Sequence, residues 1–144
     1  MSTSYSAGVV LGVKLDELGL KVEKISVPYE VHDKKGKPTG KTDYEKSWKI
    51  NFQGNETVDD HLYSDVIENL LDIKKPLELL DMSYDKFNVD KVVVGVTIVD
   101  RDYDDWNVVK ELKPEEKFEL VKSELKNQFG VDVEPKLYFY FQVS

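Results

Sequence analysis

Apolar and polar positions change rhythm several times along the chain, and each rhythm predicts an element. From Val92 to Val99 runs an apolar stretch of eight residues rich in β-branched Val and Ile, interrupted only by Gly95 and Thr97. Such a run predicts a strand covered on both faces and therefore central in a sheet. Val9 to Leu15 has the same composition, with Gly12 at the position that matches Gly95. A glycine inside a strand marks close approach of another backbone or side chain, so the two glycines are expected near one another.

Leu20 to His32 predicts a further strand after a turn at Asp16–Gly19. Its apolar residues change parity midway, Leu20 and Val22 against Ile25, Val27, Tyr29 and Val31, which predicts a bulge near Glu23 and Lys24. Pro28 lacks a ladder donor and places this strand at an edge. Lys46 to Gln53 alternates with Trp48, Ile50 and Phe52 on one face. Residues 33–43 between these strands are rich in Gly, Pro, Asp and Lys and predict a long basic hairpin loop.

Thr57 followed by Asp59 and Asp60 has the form of a capped helix start, and Val58, Leu62, Val66, Ile67, Leu70 and Leu71 continue at helical spacing. Pro76 ends that pattern and opens a shorter predicted helix through Leu77, Leu80 and Tyr84. Pro114 opens a third, whose stripe is Phe118, Val121, Leu125 and Phe129, with Gly130 after its last turn. Leu137 to Val143 alternates Leu137, Phe139, Phe141 and Val143 with Tyr138, Tyr140 and Gln142.

The predicted order is β-β-β-α-α-β-α-β. It corresponds to a single α+β domain over residues 1–144, with a mixed, mainly antiparallel five-stranded sheet and three helices mostly on one face. The last strand-helix-strand unit is compatible with a crossover that makes two strands parallel.

Charge sharpens this picture. The 144 residues carry a formal charge of −8. It is regional: residues 1–50 hold nine bases and seven acids, residues 51–112 six and fifteen, residues 113–144 five and six. A field of this sign disfavours duplex nucleic acid and anionic membrane, and favours a basic protein surface. With no cysteine there is no disulfide framework or thiolate chemistry, which fits a reducing cytosol. No apolar run is long enough for a membrane span, and the N-terminus lacks the pattern of a secretory signal. The expected location is cytoplasmic.

Candidate chemistry is thin. Gly36 to Thr42 resembles a phosphate-binding loop but has three residues between its glycines instead of four, and a strand follows instead of a helix. Lys34, Lys35, Lys37 and Lys41 remain as a loose anion contact. Asp100, Asp102 and Asp104, with Glu111 at the twelfth position, match part of a calcium loop, but Asp105 stands where glycine is needed. These four acids are the metal candidates, and no cofactor is expected. Arg101, the only arginine, lies among them. His32 and His61 form no nucleophile-base-acid set, so the chain reads as a non-enzyme.

The leading expectation is a small acidic interaction protein, of inhibitor or nucleic-acid-mimic type, that binds a basic partner through residues 59–111. Asp100, Asp102, Asp104, Asp105, Trp106, Tyr138 and Tyr140 are the candidate partner-binding residues. Two alternatives are a metal- or nucleotide-binding domain or enzyme using the Asp100–Glu111 carboxylates, and a subunit of a homo-oligomer with Tyr138 and Tyr140 in the contact.

Overall fold

The valine-rich run becomes β6 (Val92–Asp102), and Val92, Val93 and Val94 are fully buried in succession, as covering on both faces requires. The computed structural model describes residues 5–83, 86–102 and 114–143. Its other elements are β1 (Tyr5–Lys14), β2 (Lys21–His32), β3 (Pro38–Phe52), β4 (Asn55–Asp59), α1 (Ser64–Leu71), β5 (Glu78–Asp81), α2 (Pro114–Phe129) and β7 (Lys136–Val143). These form two compact units, residues 1–19 with 64–144 as unit 1 and residues 20–63 as unit 2.

Unit 1 is a four-stranded antiparallel sheet in the order β5-β6-β1-β7, with α2 packed chiefly on β1 and β6. Gly12 and Gly95 are direct cross-strand partners in the β1–β6 ladder. A Cβ on Gly95 falls inside contact distance of the Leu11 carbonyl oxygen and 2.6 Å from the Gly12 Cα. Only two hydrogens fit between the backbones there, which is the physical reason for the matching glycines. A register shift between Val9 and Val10 accommodates one extra residue of β6.

Helix α2 occupies the span its stripe predicts. Val121, Leu125 and Phe129 are buried, and Gly130 closes the helix at φ 71° with its N–H on the Lys126 carbonyl, 2.9 Å away. Gln128 ties the last turn to the chain before β5: its Oε1 accepts from the Lys74 N–H (2.9 Å) and its Nε2 donates to the Lys74 carbonyl (2.7 Å).

Unit 2 is a three-stranded antiparallel sheet in the order β2-β3-β4. Pro28 lies on the edge strand β2, as its missing donor requires. Beyond the part covered by β4, β2 and β3 continue as a two-stranded ribbon to a tight tip at residues 33–37. Residues 38–46 of β3 are all solvent-exposed.

One five-stranded sheet with three helices is thus incorrect: there are two sheets, of four and three strands with every pair antiparallel, and two α-helices among the described residues, although the class remains α+β. Three local causes account for the difference. Gln53 and Gly54 both take positive φ, 50° and 83°, the geometry of a two-residue hairpin turn, so Asn55–Asp59 returns as β4. The predicted helix start at Thr57 therefore lies in a strand, and α1 begins at Ser64. The predicted helix after Pro76 is instead β5, four residues paired with Val92–Gly95 of β6. The local pattern suits either state, and the ladder available on the outer side of β6 decides for the strand. Third, β6 and β7 both run antiparallel to β1 and so point the same way, but β1 lies between them and they share no ladder.

The bulge expected near Glu23 and Lys24 is also absent: the β2–β3 register runs without a shift from Lys21 to Glu30, and the irregularity falls between Glu30 and His32. The change of parity falls where β2 leaves the part of β3 that β4 covers, between Lys24 opposite Trp48 and Ile25 opposite Ser47, and the two-stranded ribbon beyond has no single inner face to preserve.

Candidate functional site

Strand β7 is the feature of unit 1 that the core does not absorb. It is paired with β1 along one side, Leu11 opposite Leu137, Val9 opposite Phe139 and Ala7 opposite Phe141, and among the described residues no strand pairs with its other side. Large side chains occupy both of its faces. Tyr138 and Tyr140 point to the half-buried face. Leu137, Phe139 and Phe141 point to the other and stay 42%, 77% and 61% exposed. The cause is the position of α2, which packs on β1 and β6 and leaves the edge strand beyond it.

Where α2 begins, this apolar face deepens into a groove with a volume of about 610 Å³. Leu11, Leu137, Pro135 and Phe118 supply apolar lining, and Glu115, Glu119 and Lys136 are its charged residues. Glu115, Phe118 and Glu119 reach it together because positions i, i+3 and i+4 share one helix face. Both glutamates are exposed. The Lys136 Nζ lies 4.0 Å from a Glu17 carboxylate oxygen, so part of its charge is already answered within the chain.

On the opposite face, the Lys14 Nζ sits 5.7 Å from the centroid of the Tyr138 ring. Burial, then the nearby carboxylates of Glu17 and Asp16, raise the Tyr138 phenol above its ordinary 10.0. The unfolded chain therefore ionises first as pH rises. The stability tied to this proton is complete below pH 10.0 and is lost as pH climbs through the higher folded value. Tyr29 is raised too, by Asp43 above all. In a spectrophotometric titration, Tyr138→Phe is expected to remove one late-titrating phenol, keep that of Tyr29, and flatten the alkaline loss of stability. An unchanged late class would contradict this placement.

Lys34, Lys35 and Lys37 lie in the hairpin tip and Lys41 on β3 beside it, all exposed. The tip is not built for phosphate. The Asp33 carboxylate accepts from the Lys35 and Lys37 N–H groups, each at 2.9 Å, and so occupies donors that a bound anion would use.

Asp100 and Asp102 extend β6 as register partners of Gly8 and Ser6, with Arg101 opposite Ala7. Half of the acidic run is thus strand rather than loop. Asp104, Asp105, Trp106 and Glu111 lie outside the described residues. Among the described residues no group of three or more His, Asp or Glu side chains is arranged to hold a metal ion. His61 precedes α1 instead of belonging to it; its N–H donates to Asp59 Oδ1 at 3.0 Å and its ring stacks on Tyr63 at 5.5 Å. His32 Nδ1 contacts the Glu30 carbonyl at 3.1 Å. Among the described residues, neither imidazole ring is hydrogen-bonded to a nucleophile or a carboxylate.

Sequence reasoning singled out Tyr138 and Tyr140, and the structure adds Leu137, Phe139, Glu115, Phe118 and Glu119. One signal for them was available: residues 137–143 carry no charge and no proline, the usual protections of a strand edge. Charge divides just as sharply. Unit 1 contains 12 bases and 20 acids and unit 2 contains eight of each, so the whole net charge of −8 belongs to the unit that bears β7. Among the described residues no helix is long and apolar enough to cross a membrane. No family model matches the chain, and neither a curated protein nor a solved structure matches it.

Proposed function

We propose that this chain is a small protein-binding module without catalytic activity, whose contact surface is the exposed face of β7 with its adjoining groove. The single observation that carries the reading is Phe139, a large apolar side chain 77% exposed on β7. A contiguous apolar surface beside an unprotected strand edge is what interaction sites present and what isolated soluble domains avoid. The acidity of unit 1 supports a basic partner surface, since a field of one sign raises the encounter rate with the opposite sign.

Phe139→Asp tests the reading. An exposed residue contributes little to the fold, so the melting temperature is expected to stay within about 2–4 °C of the parent, equivalent to about 1 kcal/mol. Partners captured by the parent at low salt are expected to be lost from the variant. An identical set of bound proteins with parent and variant would contradict the assignment of the site.

A further inference from the structure

Resting on β7 as the contact surface, we propose that its occupant is a basic amphipathic helix of a partner protein. The helix lies beside α2 on the same face of the sheet, its apolar stripe over Leu137 and Phe139, with two Lys or Arg residues one turn apart against Glu115 and Glu119.

Three observations define that chemistry. First, the sheet face has room for a second helix. Strands lie about 4.8 Å apart and a helix with its side chains is about 10 Å wide, so one helix covers about two strands. Helix α2 packs chiefly on β1 and β6, and the strip beside it is the face of β7 on which Leu137 and Phe139 stay exposed. Second, the groove joins that strip to the flank of α2, because Phe118 of the helix and Leu11 and Leu137 of the sheet line it together. An apolar stripe laid there is removed from water on two sides, by the sheet below and by α2 alongside. Third, the charge on that flank is spaced for a helix. Glu115 and Glu119, both exposed, stand one turn apart on α2, about 6 Å, and residues four apart on a second helix repeat that spacing. The bases nearby are already engaged: Lys122 pairs with Glu134 at 2.7 Å, and Lys136 is drawn toward Glu17. The charge left for a partner is negative, so the matching flank is basic. A second copy of this chain fits less well, because its α1 carries Asp65 and Glu68 and no base, and the apolar stripe of its α2 is buried on its own sheet.

The probe is a synthetic peptide of about eighteen residues, capped at both ends and built on alanine so that it is helical in water, with a leucine stripe along one face and two Lys four positions apart on the flank of that stripe. It is titrated into the full chain by calorimetry. Two reference peptides keep the stripe: one has Glu in place of both Lys, and the other has a central Pro that breaks the helix. The Lys helix is expected to bind, and each reference to bind about tenfold more weakly or less. Glu115→Lys with Glu119→Lys is expected to weaken the Lys helix about tenfold or more and to bind the Glu helix instead, a gain that a misfolded chain does not show. Glu68→Lys with Glu78→Lys changes the net charge equally elsewhere on unit 1 and is expected to leave binding within about twofold.

No binding of the Lys helix, equal binding of either reference peptide, or equal weakening by the two double variants overturns the proposal; equal binding of the Pro-broken peptide means that the occupant is not a helix. A dimer of the parent that Phe139→Asp dissociates overturns it too, because the occupant is then a second copy. The reading of β7 as a contact surface survives each of the peptide results if Phe139→Asp still abolishes partner capture. It falls only if that variant captures everything the parent does.

Discussion

Gly95→Ala is expected to destabilise the chain by about 3 kcal/mol or more, which is the largest effect of a single methyl group anywhere in the described structure. The added carbon meets the Leu11 carbonyl and the Gly12 Cα, both backbone atoms of β1. A flexible side chain would turn aside. Backbone cannot, because β1 is fixed in ladders with β6 and β7 together, and moving it one way strains the other. Gly12→Ala is expected to behave alike, since its added carbon meets the Val94 backbone and approaches Val93 Cγ1 at 2.7 Å. Gly36→Ala serves as the comparison: nothing lies near its added carbon, and only its φ of 81° costs anything, about 1 kcal/mol. Denaturant unfolding ranks the three. If Gly95→Ala costs no more than Gly36→Ala, the β1–β6 register is wrong.

Leu125→Ala carries the second large effect, about 2–5 kcal/mol. Leu125 is fully buried at the centre of the α2 stripe, between Val121 and Phe129, where α2 packs on β1 and β6. Removing its side chain forfeits the transfer free energy of the lost carbons and leaves a cavity that a helix held at its far end by Gln128 and Lys74 cannot easily close. At about 2–4 °C per kcal/mol, thermal unfolding is expected to fall by several degrees at the least. Because Glu115, Phe118 and Glu119 sit on the first turns of the same helix, partner binding is expected to weaken alongside. A loss below about 1 kcal/mol would mean that α2 is not packed on the sheet through this stripe.

The contrast between α2 and β5 shows which parts of the fold can be read from the chain. Helix α2 has a proline at its start, four apolar residues at helical spacing and a glycine past its end, and local preference and tertiary packing agree there. At residues 77–81 they diverge, because Leu77, Leu79 and Leu80 suit a helix turn or a strand equally, and what decides is the outer side of β6, which is remote in sequence. The hairpin at Gln53–Gly54 was legible in principle, since a glycine just past the alternating run that ends at Phe52 is a turn signal. Thr57 with its following acids imitated a helix cap and obscured it.

The site divides in the same way. Strong alternation placed Leu137, Phe139 and Phe141 on one face and Tyr138 and Tyr140 on the other. Which face stays exposed depends on where α2 lies across the sheet, and no local pattern encodes that. The groove is less legible still, because it joins Leu11, Phe118 and Leu137 from three separate parts of the chain. The acidity of residues 51–112 was plain from the sequence, but that the net charge of −8 falls on unit 1, although residues 51–63 belong to the neutral unit 2, needed the boundaries at residues 19–20 and 63–64.

Backbone amide exchange across the whole chain, alone and with a captured partner, tests the central claim most directly. The expected result is slowed exchange along β7, with the hairpin tip at residues 33–37 unchanged. Slowing at the tip or along α1, with β7 exchanging as in the free chain, would contradict the claim that β7 is where this protein meets its partner.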